Sequence, residues 1–209
     1  ETARRFLSYL PASVHELPER EQPKDTPDRR EESLISIVPT DGKTPYKPRK
    51  IVEATVDKGS FFEIGHDWGR GIVCGFARLD GYPVGILAGD PFFLDGAWTA
   101  DVCDKVARHM DLCSQFHLPV VHFVDCPGFA VGVKAETAGV TRAGVRAMTA
   151  IYQADVPVCS VVIRKAYGLA GSAMMNQSRT KWRYCWPSGD WGSLPMAGGI
   201  EAAVRKELA

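Results

Sequence analysis

His117-Leu-Pro-Val-Val-His-Phe-Val124-Asp-Cys-Pro-Gly-Phe129 and Val156-Pro-Val-Cys-Ser-Val-Val-Ile163-Arg-Lys-Ala-Tyr-Gly-Leu-Ala-Gly-Ser-Ala-Met174 decide the fold. Each starts as a short apolar run, rich in β-branched residues and bounded by turn formers, which reads as a buried strand. Each then opens into a glycine-bearing turn that leads toward a helix. Such a turn leaves backbone N–H groups free at the helix start. Glycine there lets a substrate oxygen approach the main chain. Two such turns on neighbouring strands can build a site from amides alone.

Outward from these stretches, strands and helices alternate. Residues 99–116 predict a long helix with Thr99 as N-cap; Val102, Val106, Met110 and Cys113 recur on one face. Residues 141–154 and 169–176 predict two more helices, the second packed through small residues. Residues 72–79 and 83–88 predict a hairpin around Asp80-Gly81, and residues 61–64 a strand. Residues 47–58 predict a helix with Pro48 in its first turn and Gly59 as its cap. Residues 34–38 predict a short strand or extended segment. Residues 182–186 and 191–194 predict short strands, and 199–208 a terminal helix. The class is α/β with right-handed crossovers.

The N-terminal part reads differently. Residues 3–10 predict the end of a helix. Residues 11–32 carry four prolines, many charges and no aromatic residue. They predict a mobile linker, since they bury too little to offset ordering. The expected division is therefore 1–33 for helix end and linker, and 34–209 for the main domain.

Composition bounds the function. The 209 residues have formal net charge zero and 45% apolar content. This argues for one globular domain and against nucleic-acid or anionic-membrane binding through a general basic field. No apolar run approaches the ~20 residues of a membrane span, and no secretory leader opens the chain. The six cysteines are scattered singly, which predicts buried free thiols in a reducing, cytoplasmic-type compartment. The histidines lack metal-ligand spacing, so no metal is expected. Phosphate-loop and serine-elbow motifs are absent. Ser178-Arg-Thr-Lys181 fits S-x-x-K without its companion motifs, and the sequon at Asn176 has no consequence in the cytosol.

Four phrases then occur in order: Val124-Asp-Cys-Pro-Gly-Phe129, Gly139-Val-Thr-Arg-Ala-Gly144, Arg164-Lys-Ala-Tyr-Gly-Leu-Ala170 and Trp186-Pro187. With these the chain resembles the C-terminal half of the carboxyltransferase β-type subunit of biotin-dependent acyl-CoA carboxylases, the propionyl-CoA/acetyl-CoA carboxylase kind. The likeness runs over residues 46–208 and more faintly into 3–10. It implies the crotonase-like (ClpP/crotonase) fold of repeated ββα units. It also implies part of a longer subunit, without that family's N-terminal domain and C-terminal tail.

The implied activity is transfer of a carboxyl group from carboxybiotin to the α-carbon of an acyl-CoA. The implied cofactor is biotin on a separate carrier. The implied partners are a biotin carboxyl carrier or biotin carboxylase subunit, the acyl-CoA, and further copies of the chain in a hexamer-type homo-oligomer whose interface includes the helix after Gly139. The implied location is the cytoplasm, or the mitochondrial matrix in a eukaryote. The implied donors to the biotin ureido oxygen are the backbone amides of Leu169 and Ala170. Leucine at 169 replaces the family's glycine, which narrows the pocket and disfavours a positive φ.

Asp125, Pro127, Gly128 and Phe129 either shape the biotin side of the cleft or only end a strand. Tyr167 either hydrogen-bonds a substrate carbonyl or packs. Gly168 and Gly171 form the turn, or only a tight helix–sheet contact, and Ser172 falls where the family lines its acyl pocket. Arg142 and Lys165 meet substrate charges or form surface ion pairs. Trp182, Trp186 and Trp191 line an acyl channel or belong to core or interface. Leu194-Pro195 departs from the family pattern. Two other readings stand beside this one: a biotin-dependent decarboxylase or other crotonase-like acyl-CoA enzyme, and a catalytically silent scaffold subunit.

Overall fold

The computed structural model describes residues 1–23, 25–175 and 182–195, with only the backbone of Met175. In chain order the helices are α1 (Thr2–Leu7), α2 (Pro48–Thr55), α3 (Ala100–Gln115), α4 (Val133–Thr137), α5 (Val140–Gln153) and α6 (Gly168–Met175). The strands are β1 (Phe62–Ile64), β2 (Ile72–Leu79), β3 (Tyr82–Gly89), β4 (Val120–Cys126), β5 (Val158–Tyr167), β6 (Trp182–Cys185) and β7 (Asp190–Gly192). They form one sheet in the order β1-β2-β3-β4-β5-β6, with β7 also pairing β5. The β1–β2–β3 edge is antiparallel; β3, β4 and β5 are mutually parallel, as are β6 and β7 to β5.

Alternation along the strands splits the core in two. One face sends Cys74, Leu87, Val120, Val124, Val162 and Ala166 toward α3, α5 and α6. The other sends Val73, Ala77, Ile86, Phe123 and Ile163 toward α2 and Tyr46. The predicted cap of α3 is present, since Thr99 Oγ1 accepts the Val102 amide at 3.4 Å. The parallel strands put the ends of β4 and β5 side by side, with Cys126 paired to Ala166. Open α/β sheets bind ligands at this edge.

Two expectations differ from the structure. Residues 34–38 are not a strand; Glu32–Ile35 is a 3₁₀ turn, and Leu34, Ile37 and Val38 pack against the core on the α2 side instead of pairing in the sheet. Residues 11–33 have little regular structure, yet they are tied to the domain. Arg20 pairs with Asp80 at 2.7 Å, Arg78 with Glu21 at 2.6 Å, and Arg29 donates to the carbonyls of Ala54 and Val56 at 2.7 Å. The charges that predicted a loose tether serve as its attachment points. The helix expected over 199–208, the sequon and Ser178-Arg-Thr-Lys181 lie outside the described residues.

Among the described residues no helix is long and apolar enough to cross a membrane, and no group of three or more His, Cys, Asp or Glu can hold a metal. The six cysteines are unpaired; four are buried, Cys159 is half-buried and Cys185 exposed.

Candidate functional site

At the end of β4 the functional-looking groups are bound to one another. Asp125 is still inside the strand and 1% exposed. Its carboxylate accepts from Arg164 Nε at 3.1 and 3.3 Å, from the Lys165 amide at 3.2 Å and from the Tyr46 hydroxyl. Burial pushes its carboxyl up, and the Arg164 guanidinium and these donors oppose that. Burial and the neighbouring Asp125 push the Tyr46 phenol up.

The turn that follows has its own partners. The Gly128 amide donates to Cys126 Sγ at 3.3 Å, the Gly128 carbonyl accepts from Trp98 N at 3.0 Å, and the Ala130 amide donates to Trp98 O at 2.9 Å. Phe129 stacks edge-on to Trp98 at 6.1 Å and covers Gly144 of α5. Pro127 is half-buried. The expectation of free amides at this first turn is therefore corrected for Gly128 and Ala130. Backbone pairing with Trp98, remote in sequence, occupies the Ala130 donor, and a thiol takes that of Gly128.

The end of β5 is built differently. Two steps along β4, from Val124 to Cys126, answer four along β5, from Val162 to Ala166. This irregularity is a bulge, which bends a strand and re-aims its side chains. Arg164, 3% exposed, reaches Asp125 and the carbonyls of Gly42 and Thr44 at 3.3 Å, and pairs with Asp95 at 2.9 Å. Lys165 pairs with the same Asp95. Tyr167 is 6% exposed and donates its hydroxyl to Asp190 of β7, so it packs.

α6 then begins. Gly168 holds the left-handed backbone at φ 62°, and a Cβ there would meet nothing within 4 Å. Leu169 is not among the positive-φ residues, so the strain expected of a leucine there does not arise. Its side chain is 69% exposed and does not plug the turn. The Leu169 and Ala170 amides lie in the first helical turn, where no carbonyl one turn back can serve them. Among the described residues no backbone acceptor outside the helix takes them. Gly171 is needed for contact, since a Cβ would come within 2.4 Å of the Ala166 carbonyl carbon. Ala170 and Ala173 are fully buried, whereas Ser172 is exposed.

Sequence reasoning missed Asp95 and Tyr46, and gave Arg164 no role of its own. The Asp95-Gly96 pair was a readable turn signal. That it faces Arg164, 69 positions later, was not readable. Arg142 is exposed on α5, and Trp182 and Trp191 are exposed at the sheet edge. A groove of about 920 Å³ elsewhere, between α3, α5, Phe6 and Trp68, touches none of the predicted residues. Its buried cation, Lys105, already donates to the carbonyls of Gly65 and Ile72 at 2.9 and 2.8 Å.

The parallel β3–β4–β5 core with glycine turns at its strand ends is of the crotonase-like class. The chain belongs to the carboxyl transferase domain family, whose model matches residues 1–209. It is 36% identical over 206 residues to the propionyl-CoA carboxylase carboxyltransferase subunit of Haloferax mediterranei, covering 98% of this chain and 40% of that one. It is 34% identical over 205 residues to the methylmalonyl-CoA decarboxylase subunit alpha of Veillonella parvula, with the same coverage. A solved structure of the transcarboxylase 12S hexamer, with methylmalonyl-coenzyme A and methylmalonic acid bound, superposes with TM-score 0.93 at 34% identity. That match covers 99% of this chain and 40% of the other. The chain thus spans about two-fifths of the length of these relatives.

Proposed function

We propose that this chain is the biotin-facing part of an acyl-CoA carboxyltransferase subunit. The observation that carries this is the pair of unoccupied amides at Leu169 and Ala170, within the Arg164–Ala170 phrase and beside the open ground at Gly168. A carboxylated biotin, brought by a separate carrier, supplies the carboxyl group that ends on the α-carbon of the acyl-CoA. In this reading the two N–H groups donate to the ureido oxygen as it gains negative charge. Donors so placed contribute about 3 kcal/mol each. Being main-chain, they cost no reorganisation. No side-chain base is assigned, and Asp125 is engaged with Arg164. The Leu169 side chain is exposed, and the exposed Ser172 lies one turn on.

The remainder of the subunit, a biotin carrier, an acyl-CoA and further copies of the chain are its partners in this reading. The unpaired, mostly buried cysteines fit a reducing compartment, cytoplasm or mitochondrial matrix. The deciding assay mixes the full-length subunit with its carboxylated carrier and a panel of acyl-CoAs. Carboxylated acyl-CoA is the expected product, and its absence across the panel sinks the proposal. Release of carbon dioxide from a malonyl-type thioester, without net carboxylation, assigns the subunit to the decarboxylase direction instead.

A further inference from the structure

We propose that Asp95 is a positioning residue for the Leu169–Ala170 amides, acting through the β5 bulge that carries Arg164 and Lys165. This rests on the reading of those amides as the oxygen-binding donors. The bulge decides where β5 stops and α6 begins, because one residue of slip along a strand moves everything after it by about 3.3 Å. Its unpaired groups must therefore be held.

On one side β7 pairs with Lys165–Tyr167 and Ser188 Oγ donates to the Ile163 carbonyl at 2.7 Å; on the other, two carboxylates hold the bulge's side chains and the Lys165 amide. Asp125 works from inside, accepting the Lys165 amide at 3.2 Å and Arg164 Nε. Asp95 works from outside, with one oxygen on Arg164 Nη2 at 2.9 Å and the other on Lys165 Nζ. It thus bridges two consecutive residues of the bulge.

Asp95 is itself placed by unusual backbone. Leu94 and Asp95 are both left-handed, at φ 50° and 55°, a region uncommon for residues other than glycine. Two contacts fix this loop against β4. A Cβ on Gly96 would stand 2.7 Å from Asp125 O, and Trp98 pairs with the Gly128 turn on both sides. The connection after β3 therefore touches both strand ends at once. Rigid support of this kind matters because misplacing a catalytic group by about 1 Å can cost on the order of 100-fold in rate.

Asp95 differs from Asp125 in what its loss leaves behind. Its side chain is 44% exposed. Without it Arg164 keeps Asp125 and two carbonyls, and Lys165, at 18% exposure, can turn toward water. The fold should survive while the bulge loosens.

The test uses the full-length subunit and two variants. Asp95→Asn tolerates the left-handed backbone and keeps an acceptor without the charge. Asp95→Gly relieves the backbone and removes the clasp. Hydrogen exchange over residues 164–168 is read against residues 121–124 as internal reference, beside steady-state kinetics with carboxylated carrier. Asp95→Gly should speed exchange over 164–168 by roughly tenfold with the reference unchanged. It should also lower kcat by roughly tenfold while the acyl-CoA KM stays within about twofold. Asp95→Asn should recover part of both, and Lys165→Met added to Asp95→Gly should cost little more. Exchange and kcat both at wild-type levels would overturn the proposal. So would a loss of exchange protection spread equally over 121–124. If the wild-type subunit carboxylates no acyl-CoA, the functional reading falls, and the exchange comparison still decides whether Asp95 holds the bulge.

Discussion

The ends of β4 and β5 lie side by side and are similar in sequence: an apolar run, a charged residue, a glycine turn. Their hydrogen bonding differs. At β4 the Gly128 and Ala130 amides have partners, and Asp125 is sealed beneath Arg164 and Tyr46. At β5 the Leu169 and Ala170 amides have no backbone partner outside the helix among the described residues. In the proposed reading the first end supports and the second presents. The difference teaches that a glycine turn after a strand becomes a binding element only where no neighbouring loop supplies a pairing edge. Trp98 supplies one to the β4 turn.

This contrast can be broken by experiment. The largest effect is expected from Leu169→Pro, which removes one presented N–H at an exposed first-turn position that tolerates proline. In the full-length subunit kcat should fall by about 100- to 1000-fold with the melting temperature nearly unchanged. Leu169→Ala, which keeps the N–H, should retain most activity. Equal losses in both variants would show that the side chain, not the amide, matters.

At the other end, Asp125→Ala should damage folding first. It leaves the buried Arg164 guanidinium without its innermost partner, a change that costs about 3–5 kcal/mol in comparable buried pairs. Denaturant unfolding measures it. A variant of full stability and no activity would move Asp125 into the chemistry and erase the contrast.

β4 should also govern the pH dependence of stability. His122 within it and His109 of α3 are buried, and burial holds their imidazoles down to about 3 and about 4. Both values lie below the unfolded one near 6.5. Their contribution is thus complete above about pH 6.5 and is lost as pH falls toward the folded values. Stability should drop between pH 6.5 and 4 with a slope of up to about 1.4 kcal/mol per pH unit per histidine. His122→Leu should flatten that slope by about half; an unchanged slope would assign the acid sensitivity to other groups.

The smallest effect is expected from Tyr167→Phe. It removes the bond to Asp190 at the β5–β7 edge, worth about 1 kcal/mol of stability, and should leave kcat within about twofold. A large loss of kcat would return Tyr167 to the site.

Much of the fold was legible because the signals are local. The β2–β3 hairpin with its Asp80-Gly81 turn, the Thr99 cap of α3 and the small-residue face of α6 follow from periodicity and turn chemistry. The bulge was not legible. Nothing in Ile163-Arg-Lys-Ala166 says that its first three residues lack a register partner on β4. The roles of Asp95 and Tyr46 were hidden for the same reason, since each meets the site from a segment about 70 to 120 positions away. The charged tether at 11–33 was misjudged because its composition is silent on which carbonyls its arginines would find.

By itself the sequence determined the alternating strands and helices, the presence of a glycine turn after each of two strands, and the ordered phrases that place the chain in its family. All of these depend on neighbours within a few positions. Only the tertiary structure decided which turn amides find partners among the described residues and where the left-handed residue falls, at Gly168 rather than Leu169. It also decided that Asp125 is buried against Arg164, Tyr46 and the Lys165 amide. Those outcomes depend on which donors and acceptors the packed sheet brings within hydrogen-bond reach, and that is settled only when distant segments meet.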